Sequence, residues 1–352
     1  MELQKSGLLQ IGLGGYSSST ILGANTRKYH GLLIAPLSAP AMRYLVLSKL
    51  DESIEVDGKE YNLYTNMCKN YISNGYQYLE SFEKDYIPIF SYQVENIEIK
   101  KMVCMQYGKN TVCVLYKIRN QNHKIKLKLA PILNFRDFHQ MQINHDYCLE
   151  QEVINGRKVK VIVDENRNYP VYMNLSEGNY IPHEHDIFKN MYYIEEEKRG
   201  FFPEEDLAVA GRYEIEINPN EEKEISFVCS LEENIDEIHA KEVINQEIIR
   251  INELIFDSEL IRNKDLSKNN QEREFVKDYI IAADNFVVER PSFGLHTIIA
   301  GYPWFLDWGR DSLIAFEGLL LKTKRYEIAK EVLLTCIRDV KYGLVPNRIF
   351  WI

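Results

Sequence analysis

At 352 residues, 45% hydrophobic and 27% charged, the chain is long enough for two domains and has the balance of a soluble globular protein. A formal net charge of −10 with no run of Lys or Arg argues against a nucleic-acid backbone as partner, while a neutral polymer meets no repulsion. No stretch approaches the ~18 apolar residues of a membrane span, and Met1-Glu-Leu-Gln-Lys-Ser6 does not open a signal peptide.

Six cysteines, at 68, 104, 113, 148, 229 and 336, show no C-x-x-C spacing and sit mostly in apolar runs. Buried reduced thiols and a cytoplasmic location are expected. The 23 Tyr and 15 Phe favour a strand-rich region.

In chain order, Leu8-Leu-Gln-Ile-Gly-Leu-Gly-Gly15 places Gly12 and Gly14 as in a dinucleotide-binding loop. Ser17 stands at the third position and no apolar helix follows, so a glycine-rich turn between strands is expected. Next, Asn25-Thr-Arg-Lys-Tyr-His30 reads as a polar loop leading into the apolar strand Gly31–Ala35, with His30 as a structural side chain.

From about 42 to 232 strand signals dominate. Arg43–Lys49 and Glu52–Val56 precede Asp57-Gly58, a hairpin signal. Tyr92–Tyr107, Gly108–Asn110 and Thr111–Ile118 read as one long hairpin, and Ile125–Leu129 alternates apolar with basic. Strands without intervening helices predict a large antiparallel β-sandwich. His183-Glu-His185-Asp186 offers two imidazoles but no third ligand, so a solvated loop is expected there, with no metal or cofactor. The acidic clusters 195–197 and 204–206 read as a solvated turn region.

After 232 the period becomes helical. Helices are expected over 234–255, over 272–288 with Phe275, Tyr279, Ala282, Ala283 and Phe286 on one face, over 311–321 and over 326–340. The polar stretch Asn263–Asn270 separates the first two. The expected division is a β domain over 1–232, a helical linker over 233–268 and an all-helical beginning over 269–352.

The chemistry concentrates in Ala300-Gly-Tyr-Pro-Trp-Phe-Leu-Asp-Trp-Gly-Arg-Asp-Ser-Leu-Ile-Ala-Phe-Glu-Gly-Leu-Leu320, which holds two of the three Trp. Indole beside a guanidinium and carboxylates suits a sugar, whose C–H face stacks while its hydroxyls take charged partners. The same residues also suit a helix start whose aromatics pack in a core while Arg310 pairs with Asp311.

Three stretches resemble the glycogen debranching enzymes of bacterial and archaeal type: Asn25-Thr-Arg-Lys-Tyr-His-Gly-Leu-Leu33, Gly301-Tyr-Pro-Trp-Phe-Leu-Asp-Trp-Gly-Arg-Asp-Ser-Leu-Ile-Ala315 and Gly343-Leu-Val-Pro-Asn-Arg348. The second resembles the opening motif of the amylo-α-1,6-glucosidase domain. The resemblance implies a β-sandwich followed by an (α/α)6 toroid, of which this chain carries only the first helices. It implies glycogen or another α-glucan as substrate, bound by Trp304, Trp308, Arg310 and Asp311, with Asp307 orienting Arg310.

An inverting glycosidase needs two carboxyl groups roughly 6.5–9.5 Å apart. Asp311, beside Arg310, is a poor general acid and is read as a binder, and the resemblance implies that the catalytic pair lies on loops between later helices, beyond residue 352. The chain is then expected to be inactive alone. Two alternatives remain: a non-catalytic glucan-binding module, and another glucoamylase-like hydrolase or phosphorylase. Apolar residues on the last helices, among them Ile314, Phe316, Leu319, Leu320, Val332 and Leu333, are expected to lack partners.

Overall fold

The computed structural model describes residues 5–258, 260, 270–338 and 340–347, without the side chains of Glu184 and His185. Most of Asn263–Asn270, the end of the third motif at Arg348 and the His185 half of the imidazole pair therefore lie outside the described residues. The chain forms two compact units. One comprises residues 1–9, 16–35 and 44–244; the other comprises 10–15, 36–43 and 245–352.

Two eight-stranded antiparallel sheets make up the β-rich part. The first runs, in spatial order, Ser6–Gln10, Tyr16–Thr20, Gly31–Ser38, Ala41–Val56, Ile125–Asp137, Glu204–Ile217 and Asn179–Tyr192, with Lys59–Asn62 paired to Ala41–Val56. The second runs Leu149–Val153, Val159–Val163, Val171–Leu175, Glu222–Ser230, Thr111–Asn120, Ile97–Met105, Pro88–Val94 and Leu79–Lys84.

Alternation explains how the two meet. Ile125, Leu127 and Leu129 are buried, while Lys126 and Lys128 point the other way to Glu214 at 3.5 Å and Glu55 at 3.1 Å. Between the sheets, Glu52 of the first accepts from Tyr116 of the second at 2.6 Å, and Tyr213 meets Phe227 edge-on at 5.9 Å. Each fully buried Val, Leu or Phe contributes ~1.5–3 kcal/mol, which makes this interior the main source of cohesion.

Gly12 and Gly14 lie in a turn between strands, both with positive φ. A Cβ at Gly14 would come within 2.4 Å of the Pro40 Cβ, so glycine is required there by contact as well as by conformation.

Several expectations need correction. Tyr92–Tyr107 is not one strand, because Glu95, at φ 49°, reverses the chain between Pro88–Val94 and Ile97–Met105. Val94 and Ile97 still pair directly, so the apolar pattern runs through the turn and conceals it. The acidic clusters are only partly solvated: Glu197 is exposed, but Glu196, Glu205 and Asp206 are buried, Glu205 against Arg136 at 2.5 Å. Cys148 is exposed and Cys68 half-buried, although the other four thiols are buried and all six are free.

The helices Ala240–Asp257, Asn270–Asp284, Gly309–Phe316 and Tyr326–Ile337 occupy four of the expected places. The second stops earlier than its pattern suggested. Val287–Arg290 instead pairs with Leu295–Ile298, as suits two adjacent β-branched residues before a Pro291–Gly294 turn. Phe275 and Tyr279 are exposed at 71% and 53%, while Ile280 and Ala283 face inward.

The Val287–Ile298 hairpin also supplies partners that the last helices were expected to lack. Leu320 and Val332 bury against Val287, Ile298, Ala329 and Cys336, with Phe316 and Leu319 packed alongside. Ile314 remains 78% exposed and Leu333 41%.

Candidate functional site

The aromatic loop is pinned at its base. Ile299 bridges Asp307, and the Ala300 N–H donates to the Leu306 carbonyl at 2.8 Å. This closes residues 300–306 into a loop that leads into the helix Gly309–Phe316. Arg43, itself buried, donates to the Pro303 carbonyl at 2.8 Å and lies 4.8 Å over the Tyr302 ring. The loop tip is thus braced by a cation–π contact and a hydrogen bond from a residue 260 positions away.

Trp304 and Phe305 are exposed at 39% and 51%, and Trp308 is half-buried, edge-on to Phe305 with centroids 6.4 Å apart. Large aromatic faces at a loop tip are costly to leave in water and suit a flat apolar ligand face.

Asp307 does not orient Arg310. It is buried, forms an ion pair with the equally buried Arg290 and accepts from Thr297 Oγ1 at 3.2 Å. Burial pushes its carboxyl up, against the pull of the Arg290 guanidinium. Arg290 in turn lies 4.2 Å over Phe293, whose ring also lies 3.8 Å from the Arg338 guanidinium. Asp307 is therefore a brace under the loop, placed inward by the Ile299 bridge.

Arg310 is exposed and Asp311 half-buried. Among the described residues neither side chain makes a hydrogen bond or ion pair, so the Arg310–Asp311 pair allowed by the sequence does not form. Both polar groups stand ready for an external partner at the first turn of the helix.

That turn is held by the third motif. The Gly309 N–H donates to the Asn347 carbonyl at 3.0 Å, and the Arg310 N–H to Asn347 Oδ1 at 3.1 Å. Asn347 so satisfies two donors that a helix start leaves open. A Cβ on Gly309 would stand 2.4 Å from the Pro346 carbonyl oxygen, and this close approach is why glycine precedes Arg310.

Sequence reasoning brought Trp304, Trp308, Arg310 and Asp311 to one loop and its helix, but it missed Arg43, Arg290 and the cap formed by Asn347. Neither arginine carries a local signal, since their partners are distant in the chain or inside the fold.

The first motif is a separate, tightly pinned loop. Arg136 Nη2 donates to the Lys28 carbonyl at 2.9 Å, Tyr16 to the Tyr29 carbonyl at 3.0 Å, and Lys28 Nζ to the His139 carbonyl at 2.6 Å. His30 Nδ1 accepts from the Thr26 N–H at 3.1 Å, and burial, aided by Arg27, pushes its pKa down to about 3. His30 is thus a neutral structural acceptor. His183 contacts Arg212 at 3.0 Å and Asp186 at 3.3 Å, and no group of three metal-ligating side chains occurs among the described residues.

Comparison with known proteins gives two family matches: the glycogen debranching enzyme N-terminal family over residues 7–224, and the amylo-alpha-1,6-glucosidase family over residues 281–350. A glycogen debranching enzyme of Saccharomyces cerevisiae is 37% identical over 62 residues, covering 16% of this chain and 4% of the yeast protein. Among solved structures, a bacterial glucoamylase complexed with acarbose matches at a TM-score of 0.45 and 12% identity, over 98% of this chain and 50% of that one. A polysaccharide lyase matches at 0.30 and 7% identity, over 64% of this chain and 32% of that one. These structural likenesses are too loose to define the fold. This chain thus spans at most half of the relatives it matches. With the N-terminal family covering more than half of the sequence, the chain belongs to the glycogen debranching enzyme family.

Proposed function

We propose that the chain is the glucosyl-binding part of a debranching glucosidase, which hydrolyses α-1,6-linked glucosyl branch units of glycogen or limit dextrin. The observation that carries this is the loop itself: exposed Trp304 and half-buried Trp308 beside Arg310 and Asp311, whose charges are unspent among the described residues. The indoles stack on the C–H face of the terminal glucose, while the guanidinium fork and the carboxylate take its vicinal hydroxyls.

The loop does not supply the chemistry. Inverting hydrolysis takes one carboxylic acid and one carboxylate, and Asp307 is already committed to Arg290. Asp311 alone fills one role at most, so residues 1–352 bind without cleaving. The (α/α)6 toroid that the last helices begin, and a cytoplasmic location consistent with six free thiols, belong to the same proposal.

Glucose release from limit dextrin tests the division of labour. The 352-residue chain is expected to release none while being retained on glycogen in affinity electrophoresis. Trp308→Ala and Arg310→Ala should each weaken that retention at least tenfold. Glucose release by the chain alone would overturn the assignment of catalysis elsewhere, and unchanged retention in both variants would remove the loop from the site.

A further inference from the structure

A second site lies inside the β-rich unit, remote in sequence from the aromatic loop. A partly open cavity of about 80 Å³ is walled by residues of both sheets, among them Asn25, Lys49, Glu52, Thr65, Phe90 and Tyr92. At ~10–15 Å³ for each water, it holds about six, roughly 180 Å³ of liquid. That is the bulk of one hexose, and far less than a glucan chain.

The wall chemistry defines the ligand more closely than the volume does. Apart from the exposed Lys84, its charges cancel locally. Lys49 Nζ lies 3.3 Å from Asp51 Oδ1 and donates to the Thr65 carbonyl at 2.7 Å, and Lys101 Nζ lies 2.5 Å from Glu52. Glu52 also accepts from Tyr116 at 2.6 Å. The compensated pairs at Lys49 and Lys101 exert little net field on the buried part of the cavity, which favours a neutral ligand there over an anion or a cation.

Two hydroxyls in the wall are unspent. Thr65 Oγ1 is buried without a partner, and the Tyr92 hydroxyl makes no hydrogen bond among the described residues. A buried polar group left unpaired carries an uncompensated desolvation cost, which a hydroxylated occupant removes. Asn25, from the first motif, completes the polar side: it donates to the Ser48 carbonyl and Oγ, both at 3.2 Å, and accepts from Ser19 at 3.2 Å. Opposite in character are Phe82 and Phe90, a tilted pair with centroids 4.9 Å apart, both half-buried and both lining the cavity.

We propose that this cavity is a binding site for a single neutral hexose unit, its apolar face on Phe82 and Phe90 and its hydroxyls on Thr65, Tyr92 and the Asn25 side. Two sources share that chemistry, a free monosaccharide and the terminal unit of an α-glucan. The site is non-catalytic, because the Glu52 carboxylate is held in an ion pair and the Asp51 carboxylate lies against Lys49. It stands independently of the aromatic loop.

The test uses the full chain carrying Trp308→Ala and Arg310→Ala, so that the loop does not contribute. Glucose and maltotriose are titrated by saturation-transfer NMR, with and without Thr65→Val or Tyr92→Phe. Both changes are near-isosteric, and thermal melting checks that each variant folds. Binding that each substitution weakens about fivefold or more supports the site, since one hydrogen bond is worth ~1 kcal/mol. Equal affinity for both sugars assigns recognition to the single unit, while binding of maltotriose alone assigns it to a glucan end. Absence of binding for both sugars, or binding unchanged in both variants, overturns the proposal.

Discussion

His30 shows what burial does to a titratable side chain. With its pKa pushed from 6.5 down to about 3, the folded state resists protonation while the unfolded chain accepts a proton near 6.5. The stabilising contribution is thus complete above about 6.5 and is lost as pH falls toward 3. The expected loss approaches ~1.4 kcal/mol per pH unit from this one group. Urea midpoints between pH 7 and pH 4 should fall in the parent chain and fall less steeply in His30→Gln. Parallel slopes would assign the acid sensitivity to other groups.

Asp307 and Arg310 make the complementary contrast. Asp307→Ala removes the buried carboxylate that faces the buried Arg290 guanidinium, at an expected cost of ~3–5 kcal/mol in denaturant unfolding. Arg310→Ala removes an exposed side chain and should stay within ~0.5 kcal/mol. Equal costs would show that Asp307 is not the buried brace described above. The sequence placed both residues in one cluster, and only the fold separates them, because the Ile299 bridge turns one carboxylate inward.

Among the elements, the helix Gly309–Phe316 depends on a cap supplied from outside its own sequence neighbourhood. Asn347→Ala should cost ~1 kcal/mol and speed hydrogen exchange at the Arg310 amide, which loses its acceptor. Unchanged exchange at Arg310 would mean that the cap is not stabilising the turn. Strands were legible wherever alternation was clean, as at Ile125–Leu129. They were misjudged where a turn kept the apolar phase, as at Glu95. The helix over 272–288 was overextended for a related reason: Phe286, Val287 and Val288 continue an apolar run whose period is ambiguous over so few residues. Phe275 and Tyr279 show the same limit on a helical face, since spacing identifies a stripe without saying what covers it.

For the whole molecule, the sequence revealed the change from strand to helix near 232 and the stretches that carry the family resemblance. It revealed none of the long-range ties. Arg43 reaches Pro303 across 260 positions, and the β hairpin packed against the last helices begins at the final two residues of a segment read as helix, Val287 and Val288, and continues past it. The hexose-sized cavity was equally hidden, because its walls come from segments scattered between residues 7 and 103.

Arg43 and the glycine turn carry one further consequence. The helical unit contains residues 10–15 and 36–43, where the Glu289 backbone N–H donates to the Gly12 carbonyl at 2.7 Å and Gln10 Nε2 donates to Asp284. A gene fragment beginning at residue 245 therefore encodes an unfinished body, expected to lack a cooperative melting transition by circular dichroism. Adding the two short peptides back in trans should help little, since tethering sets their effective concentration. On the ribosome the order is reversed: residues 10–15 and 36–43 emerge early and wait some 250 residues for the partners that complete them.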